Sequence, residues 1–239
     1  MPEAFVSVST WFQPEPRSAS EERTALIRQV AARIDSLGES RLRVCVDGLT
    51  ASGKTSFGHE LASGLRDLGR PTLRASLDDF KNPWSEARAK GYDRISGEGY
   101  YRNAFDFEST RTFLLEPMAP GGSGLIALCS VDPLTQQNHR TETVRAPANA
   151  VLIVDGVFAM RAEYNAYWDF RIWLDVDFEL SVERGVARDS DMEGRVEAEN
   201  LHRNRYGAAE RIYMAEVHPK KMADLVVDNR DFSSPRVVP

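Results

Sequence analysis

An α/β fold with a mainly parallel sheet is what this sequence predicts, on three observations. Short apolar runs of strand length alternate along the chain with segments of helical periodicity. One such run, Leu42 to Val46, leads directly into a glycine-rich stretch followed by a helical pattern from Ser56 to Leu68. The run Ala150 to Val154 is apolar throughout, as a strand covered on both faces must be.

The N-terminal stretch up to about Ser18 mixes apolar residues with Pro14 and Pro16 and reads as an irregular arm. Ser18 with Glu21 resembles a capping box, and Ala25, Leu26, Val30, Ile34 and Leu37 follow at helical spacing until Gly38. Leu42, Val44 and Val46 alternate as a strand, and the next helix ends at Gly69 and Pro71. Pro71 to Leu77 reads as a second strand, Asp78 to Arg102 as a polar candidate substrate region, and Phe107 to Leu115 as a helix capped by Asp106. Leu125 to Val131 and Glu142 to Arg145 form β-like runs around a polar turn, after a flexible lead-in at Pro120 to Gly124. Ala150 to Val154 and Phe170 to Leu174 are buried strands, Glu179 to Arg188 and Arg195 to Val217 helices, and Leu225 to Val227 the last strand. Two units follow: residues 1–40 as arm and amphipathic helix, and residues 41–239 as the main domain.

Composition narrows the function. The 239 residues are 42% hydrophobic and 28% charged, a globular balance. Thirty basic against thirty-six acidic residues give net charge −6, so no global field holds a nucleic acid polymer or a lipid surface, and any phosphate must be held locally. No apolar run approaches the roughly 20 residues a membrane span needs. No leader is evident, and Cys45 and Cys129 are distant and without metal-ligand spacing, which predicts a reduced, cytoplasmic protein.

The informative string is Gly48-Leu49-Thr50-Ala51-Ser52-Gly53-Lys54-Thr55, which fits G-x-x-x-x-G-K-[ST] between a strand and a helix. In such a P-loop (Walker A motif) the glycines let backbone N–H groups turn inward around phosphate oxygens, and the helix start adds partial positive charge. Gly48, Thr50, Ala51, Ser52, Gly53, Lys54, Thr55 and Ser56 are therefore the expected nucleotide-binding residues, with Lys54 on the β and γ phosphates and facing solvent when no nucleotide is bound. Thr55, and Asp155 at the end of the apolar strand 151–154, are the expected Mg²⁺ residues; a turn opened by Asp155-Gly156 is the plainer alternative.

A guanine-reading switch lacks its N-K-x-D and D-x-x-G strings, whereas a small-molecule kinase has candidates for each part. Asp78, directly after the second strand, is placed to act as base on an acceptor hydroxyl; a cap or solvated turn is the alternative. Arg184 and Arg188 lie four apart on one helical face and Arg195 follows a polar break, a pattern suited to a cationic lid. Because twenty-five of the thirty basic residues are arginine, a solvated helix face explains the same three residues.

From Arg41 to Asp231 the chain resembles the uridine kinase and phosphoribulokinase group of P-loop kinases. The resemblance rests on the phosphate loop, Ser76-Leu77-Asp78-Asp79-Phe80, Asp155-Gly156-Val157-Phe158, Asp175-Val176-Asp177 with Arg184 and Arg188-Asp189, His218-Pro219-Lys220 and Ala223-Asp224-Leu225-Val226-Val227, in that order. It implies a five-stranded mainly parallel sheet flanked by helices, with a lid and a small β-hairpin over the acceptor site. It further implies ATP and Mg²⁺, a small-molecule acceptor with a hydroxyl group, Asp78 as base, Arg188 and Arg195 over the phosphates, and Asn103 near the acceptor.

A nucleoside is the first expectation for the acceptor, with nicotinamide riboside, pantothenate or a sugar as alternatives. A P-loop ATPase or regulatory nucleotide-binding protein is the alternative of a different class. Val131 and Gln136 stand where uridine kinases usually carry Tyr and His on the hairpin, and Asp155 replaces the usual Glu. An apolar wall and one amide therefore replace the uracil-reading pair. Tyr92, Tyr100 or Tyr101 could supply pocket aromatics instead. Trp11, Trp84, Trp168 and Trp173 read as core or anchor aromatics, with Trp84 also a candidate to line the acceptor site; the four histidines share no metal spacing. The sequence leaves oligomeric state open, a homo-oligomer being admissible.

Overall fold

The computed structural model describes residues 7–10 and 19–238; Trp11, Ser18 and most of the expected arm lie outside them. Its main sheet has six strands, β1 (Leu42–Gly48), β2 (Thr72–Ser76), β5 (Val151–Asp155), β6 (Phe170–Asp175), β7 (Leu225–Asp228) and β8 (Arg236–Val238), in the order β2-β5-β1-β6-β7-β8. Five strands run parallel, as expected, and β8 adds an antiparallel edge after β7. That sixth strand was not anticipated. Its three residues are exposed, so no burial pattern marks it.

Every residue of β1 and β5 is buried. Their alternate residues serve opposite faces, because successive side chains in a strand point to opposite sides. Val44, Val46, Val151 and Ile153 pack with Leu26, Ile34, Phe57, Leu61 and Leu65 of α1 (Glu21–Asp35) and α2 (Lys54–Asp67). Cys45, Leu152 and Val154 face the other cluster, with Tyr101 of α4 (Gly97–Asn103) and Tyr213 of α9 (Gly207–Val217). The helix expected to precede the main domain thus shares its core.

Local capping explains several boundaries. Ser20, not Ser18, precedes α1, and its Oγ accepts from Arg23 N at 3.1 Å; Leu37 lies beyond the helix and is exposed. Asp106 caps α5 (Phe107–Thr110), which continues as a wider turn over Arg111–Leu115. Helix α7 (Phe178–Glu193) runs beyond the expected Arg188 and stops at Gly194, whose φ of 80° breaks it. Then α8 (Arg195–Asn200), a wide turn Leu201–Tyr206 and α9 make one helical run, matching the expected 195–217. The expected hairpin is formed by β3 (Leu125–Ala127) with β4 (Thr143–Arg145), which pairs Ile126 with Val144. Helix α3 (Trp84–Lys90) fills part of the polar segment after β2, and α6 (Ala162–Asn165) and α10 (Pro219–Met222) are short.

Pairings Val46–Asp155 and Ser76–Asp155 bring the C-terminal ends of β1, β2 and β5 to one edge. Ligands of open α/β sheets bind at such an edge. No helix among the described residues is long and apolar enough to cross a membrane.

Candidate active site

The loop after β1 is held in shape from behind. Gly48 N donates to Asp47 Oδ1 at 2.7 Å, Thr50 N donates to the Glu210 carboxylate, and Ser181 Oγ donates to Thr50 O at 2.6 Å. Asn229 Nδ2 donates to Ser52 O at 2.7 Å, and Asn229 Oδ1 accepts from Arg23. Helices α1, α7 and α9 and the segment after β7 therefore all fix this loop. Ala51 (φ 57°) and Gly53 (φ 94°) adopt left-handed backbone, which turns amides inward. A Cβ on Gly48 would stand 2.6 Å from Leu174 O, so only glycine fits there.

In front of the loop lies a cleft of about 460 Å³. Thr50, Ala51, Gly53, Lys54, Thr55 and Ser56 line it, whereas Gly48 and Ser52 do not. The Ser52 side chain is fully buried with its Oγ unpartnered among the described residues. Lys54 does not face solvent as expected. It is 9% exposed and its Nζ donates to Gly48 O at 3.1 Å and Leu49 O at 2.6 Å. Burial lowers its pKa against the opposing pull of Glu210, Asp47 and Asp155, and the loop carbonyls hold the ammonium.

Thr55 Oγ1 donates to Asp155 Oδ2 at 2.7 Å, so the hydroxyl and carboxylate expected at one cation do meet. The other oxygen of Asp155 pairs with Arg74 at 2.5 Å. Among the described residues no group of three or more His, Cys, Asp or Glu could hold a metal. A hydroxyl, one carboxylate and an anionic ligand are nevertheless a sufficient donor set for Mg²⁺, which keeps several waters.

Asp78 lines this cleft and also a second pocket of about 180 Å³ that opens from it. Burial pushes its carboxyl up, but Lys81, 2.6 Å away, outweighs this and holds it below the usual range. Asp79 is 3% exposed, and desolvation raises its carboxyl to about 7 despite a hydrogen bond from Ser7. The two adjacent carboxylates thus have opposite environments, and Asp78 alone is presented to a ligand.

Arg184 and Arg188 of α7 both line the cleft. Arg184 donates to Asn229 O and Arg230 O at 3.1 and 2.7 Å, and Arg188 pairs with Asp189 at 2.6 Å. Two expected residues are not brought to the site. Arg195 is exposed at the start of α8 and lines neither pocket, although Met192 and Glu193 at the end of α7 and Leu201 after α8 do line the cleft. Asn103 ends α4 with its Nδ2 on Asp93 O at 2.6 Å and lines neither pocket.

Sequence reasoning missed Asp47 and Glu210 behind the loop. The Asp47 carboxylate accepts from Gly48 N, Met160 N and Tyr213 Oη, while burial raises it to about 6. It also missed Lys81, Arg94, Arg205 and Tyr206 in the second pocket. Asp47 sits beside the phosphate motif and could have been found; Arg94 and Arg205 carry no spacing signal. Trp84 and Tyr100 do line this pocket, with Val131 and Gln136. The Gln136 amide is not free, for its Oε1 accepts from Trp84 N at 3.0 Å and its Nε2 donates to Pro133 O at 3.0 Å.

This constellation is that of a P-loop kinase. Residues 44–231 match the family model described as Phosphoribulokinase / Uridine kinase family, and the chain belongs to that family. Among solved structures it is similar to a possible uridine kinase from Bacillus stearothermophilus, at 24% identity over 85% of this chain and 96% of that one, with a TM-score of 0.60. A Silicibacter sp. TM1040 kinase, assigned provisionally to a fructose transport system, matches at 21% identity over 81% and 94% of the two chains, TM-score 0.65. The D-glycerate 3-kinase of Cryptococcus neoformans var. grubii matches at 13% identity over 90% and 99%, TM-score 0.54. No curated protein sequence matches the chain.

Proposed function

We propose that this protein transfers the γ-phosphate of ATP to a hydroxyl of a small metabolite. The observation that carries this reading is the position of Asp78, which lines both the phosphate-loop cleft and the adjoining pocket. A carboxylate at such a junction can accept the proton of a hydroxyl in one pocket as that oxygen attacks a phosphoryl group in the other. The loop 48–55 and Lys54 hold the nucleotide phosphates, with Lys54 exchanging two carbonyl partners for phosphate oxygens. Arg184 and Arg188 add positive charge over the transferring group and narrow the cleft against water. Thr55 and Asp155 are suited to hold Mg²⁺, which when bound neutralises charge on the phosphates. Arg195 reaches the phosphates only if the α7–α8 corner at Gly194 closes, and Asn103 acts on the acceptor only by holding the Asp93 loop.

For the acceptor, the named relatives differ among themselves in the metabolite they act on. The nucleoside reading draws support from the aromatic rings of Tyr100, Tyr206 and Trp84 in the pocket. It loses support from Val131 and from a Gln136 amide already engaged by backbone. A coupled ADP-release assay across nucleosides, vitamins, sugars and hydroxy acids tests the proposal. Acceptor-dependent turnover that vanishes with Asp78→Asn supports it, and ATP hydrolysis equally fast with and without every acceptor overturns it. Uridine and cytidine are expected to show KM above about 1 mM, the upper end of the common range; micromolar KM with formation of the monophosphate restores the nucleoside reading.

A further inference from the structure

The second pocket carries charge that nothing among the described residues neutralises. Lys81, Arg94 and Arg205 line it against a single carboxylate, Asp78, which is already paired with Lys81. Arg94 is 4% exposed. It donates to Asn82 O, stacks its guanidinium 4.1 Å from the Trp84 ring centroid, and leaves a buried Nε without a hydrogen-bond partner among the described residues. The groups that perturb it most after burial are Tyr92, Arg205 and Tyr100, none of them a carboxylate. Arg205 donates to Arg94 O at 2.9 Å, lies 4.9 Å from the Tyr100 ring centroid, and also leaves its Nε buried and unpartnered. Asp93, the acid whose charge Arg205 influences, has its own oxygens on Ser96 and the Ile95 amide.

Two like charges brought together, one of them on the buried Arg94, are unfavourable unless an anion completes the set. A chain of net charge −6 has ample carboxylates to pair with them, yet among the described residues the pocket lining holds only Asp78, which is engaged by Lys81. Guanidinium groups present paired donors that match the oxygens of a carboxylate or phosphate. The pocket is small as well. Its 180 Å³, a little more than the roughly 150 Å³ that takes a benzene ring, has room for a compact acceptor and opens into the larger cleft.

The geometry points to an anionic acceptor, a compact hydroxylated metabolite whose carboxylate or phosphate is held by Arg94 and Arg205 while its hydroxyl meets Asp78. This deepens the kinase reading and rests on it for the role of Asp78, but the anion subsite itself does not. In the transfer the acceptor O–H gives its proton to Asp78, the oxygen forms a bond to the γ-phosphorus, and the bond from γ-phosphorus to the ADP oxygen breaks. The anion takes no part in the bond changes and serves to orient the hydroxyl.

Matched pairs of probes test it with the full chain: glycerate against glycerol, pantothenate against pantothenol, and a pentose 5-phosphate against the free pentose. The first two pairs ask for a carboxylate and the third for a phosphate. At least one anionic member is expected to exceed its neutral partner by tenfold or more in kcat/KM, and Arg205→Gln is expected to close that gap mainly through KM while ATP affinity stays within twofold. Arg205→Lys should restore part of it. Arg94→Gln is the second variant, read only if its circular dichroism matches the wild type, because Arg94 is buried. Direct binding gives a readout independent of turnover: the anionic probe should raise the melting temperature of the wild type and not of Arg205→Gln. Neutral members used as well as their anionic partners, or a gap unchanged in Arg205→Gln, overturns the anion subsite and leaves the kinase reading standing. Absent ATP binding and turnover would instead sink the kinase reading, and the melting-temperature shift still decides the subsite, since no shift with any anion refutes it.

Discussion

Replacing Asp78 by Asn separates chemistry from architecture at this site. The amide has the size of the carboxylate, so the walls of both pockets keep their shape, but the proton acceptor is gone. General-base catalysis is worth a factor of about 10² to 10⁴, or roughly 3 to 5 kcal/mol of barrier. The structural cost is much smaller. The pair lost is Lys81 Nζ to Asp78 Oδ1 at 2.6 Å with the two side chains 22% and 30% exposed, and such solvent-screened pairs contribute about 0 to 1 kcal/mol. The same lysine holds the Asp78 carboxyl below its usual range, so the base is already ionised throughout the pH range above it. Turnover should therefore show no acid limb from this group until pH falls below the ordinary carboxylate range of about 4. The assay is ADP release with the best acceptor, run beside ATP titration and thermal melting. Asp78→Asn should lower kcat by at least a hundredfold with ATP affinity and melting temperature nearly unchanged, and Asp79→Asn should leave kcat within severalfold. A folded Asp78→Asn enzyme at near wild-type rate, or an exchange of behaviour between the two variants, would refute the assignment of the base.

Lys54→Ala should lower turnover by about 10² or more, about 3 kcal/mol of barrier, while circular dichroism shows an intact fold, because its hydrogen bonds go to carbonyls of its own loop. A rate near wild type removes Lys54 from the mechanism. Gly48→Ala should lower the melting temperature and weaken ATP binding at least tenfold, since its Cβ meets Leu174 O at 2.6 Å and Ser52 Oγ at 2.7 Å, overpacking worth about 1 to 3 kcal/mol; unchanged ATP titration contradicts this. Asp79 holds its proton more tightly folded, at about 7, than its ordinary value of 3.8, so its contribution to stability is fullest below about pH 4 and is lost as pH rises towards 7. Asp79→Asn should accordingly gain melting temperature over the wild type more at pH 8 than at pH 5, and a difference constant across pH would show that Asp79 is not buried as a proton-binding acid.

Much of this protein was legible in order of residues alone because its chemistry is local. The phosphate loop joins β1 to α2 within eight residues, and backbone conformation and helix start are set over that distance, so string and structure coincide. Parallel strands are legible for a similar reason: burial on both faces writes an unbroken apolar run, as in β5. Strand β8 writes none, since an exposed antiparallel edge needs only backbone partners on β7. Asp78 and Asp155 could be placed at one edge because strand ends in a parallel sheet share a side. What the order of residues could not decide was which distant side chains converge. Asn103 and Arg195 were drawn to the site by motif position, yet the Asp93 carbonyl holds one and the other stands exposed just beyond the break at Gly194. Arg94 and Arg205, 111 positions apart, meet because the wide turn Leu201–Tyr206 packs against α4 and the loop before it. Their meeting depends on long-range packing, which leaves no periodic mark in the sequence, and only the tertiary structure makes an anion-binding pocket of two unremarkable arginines.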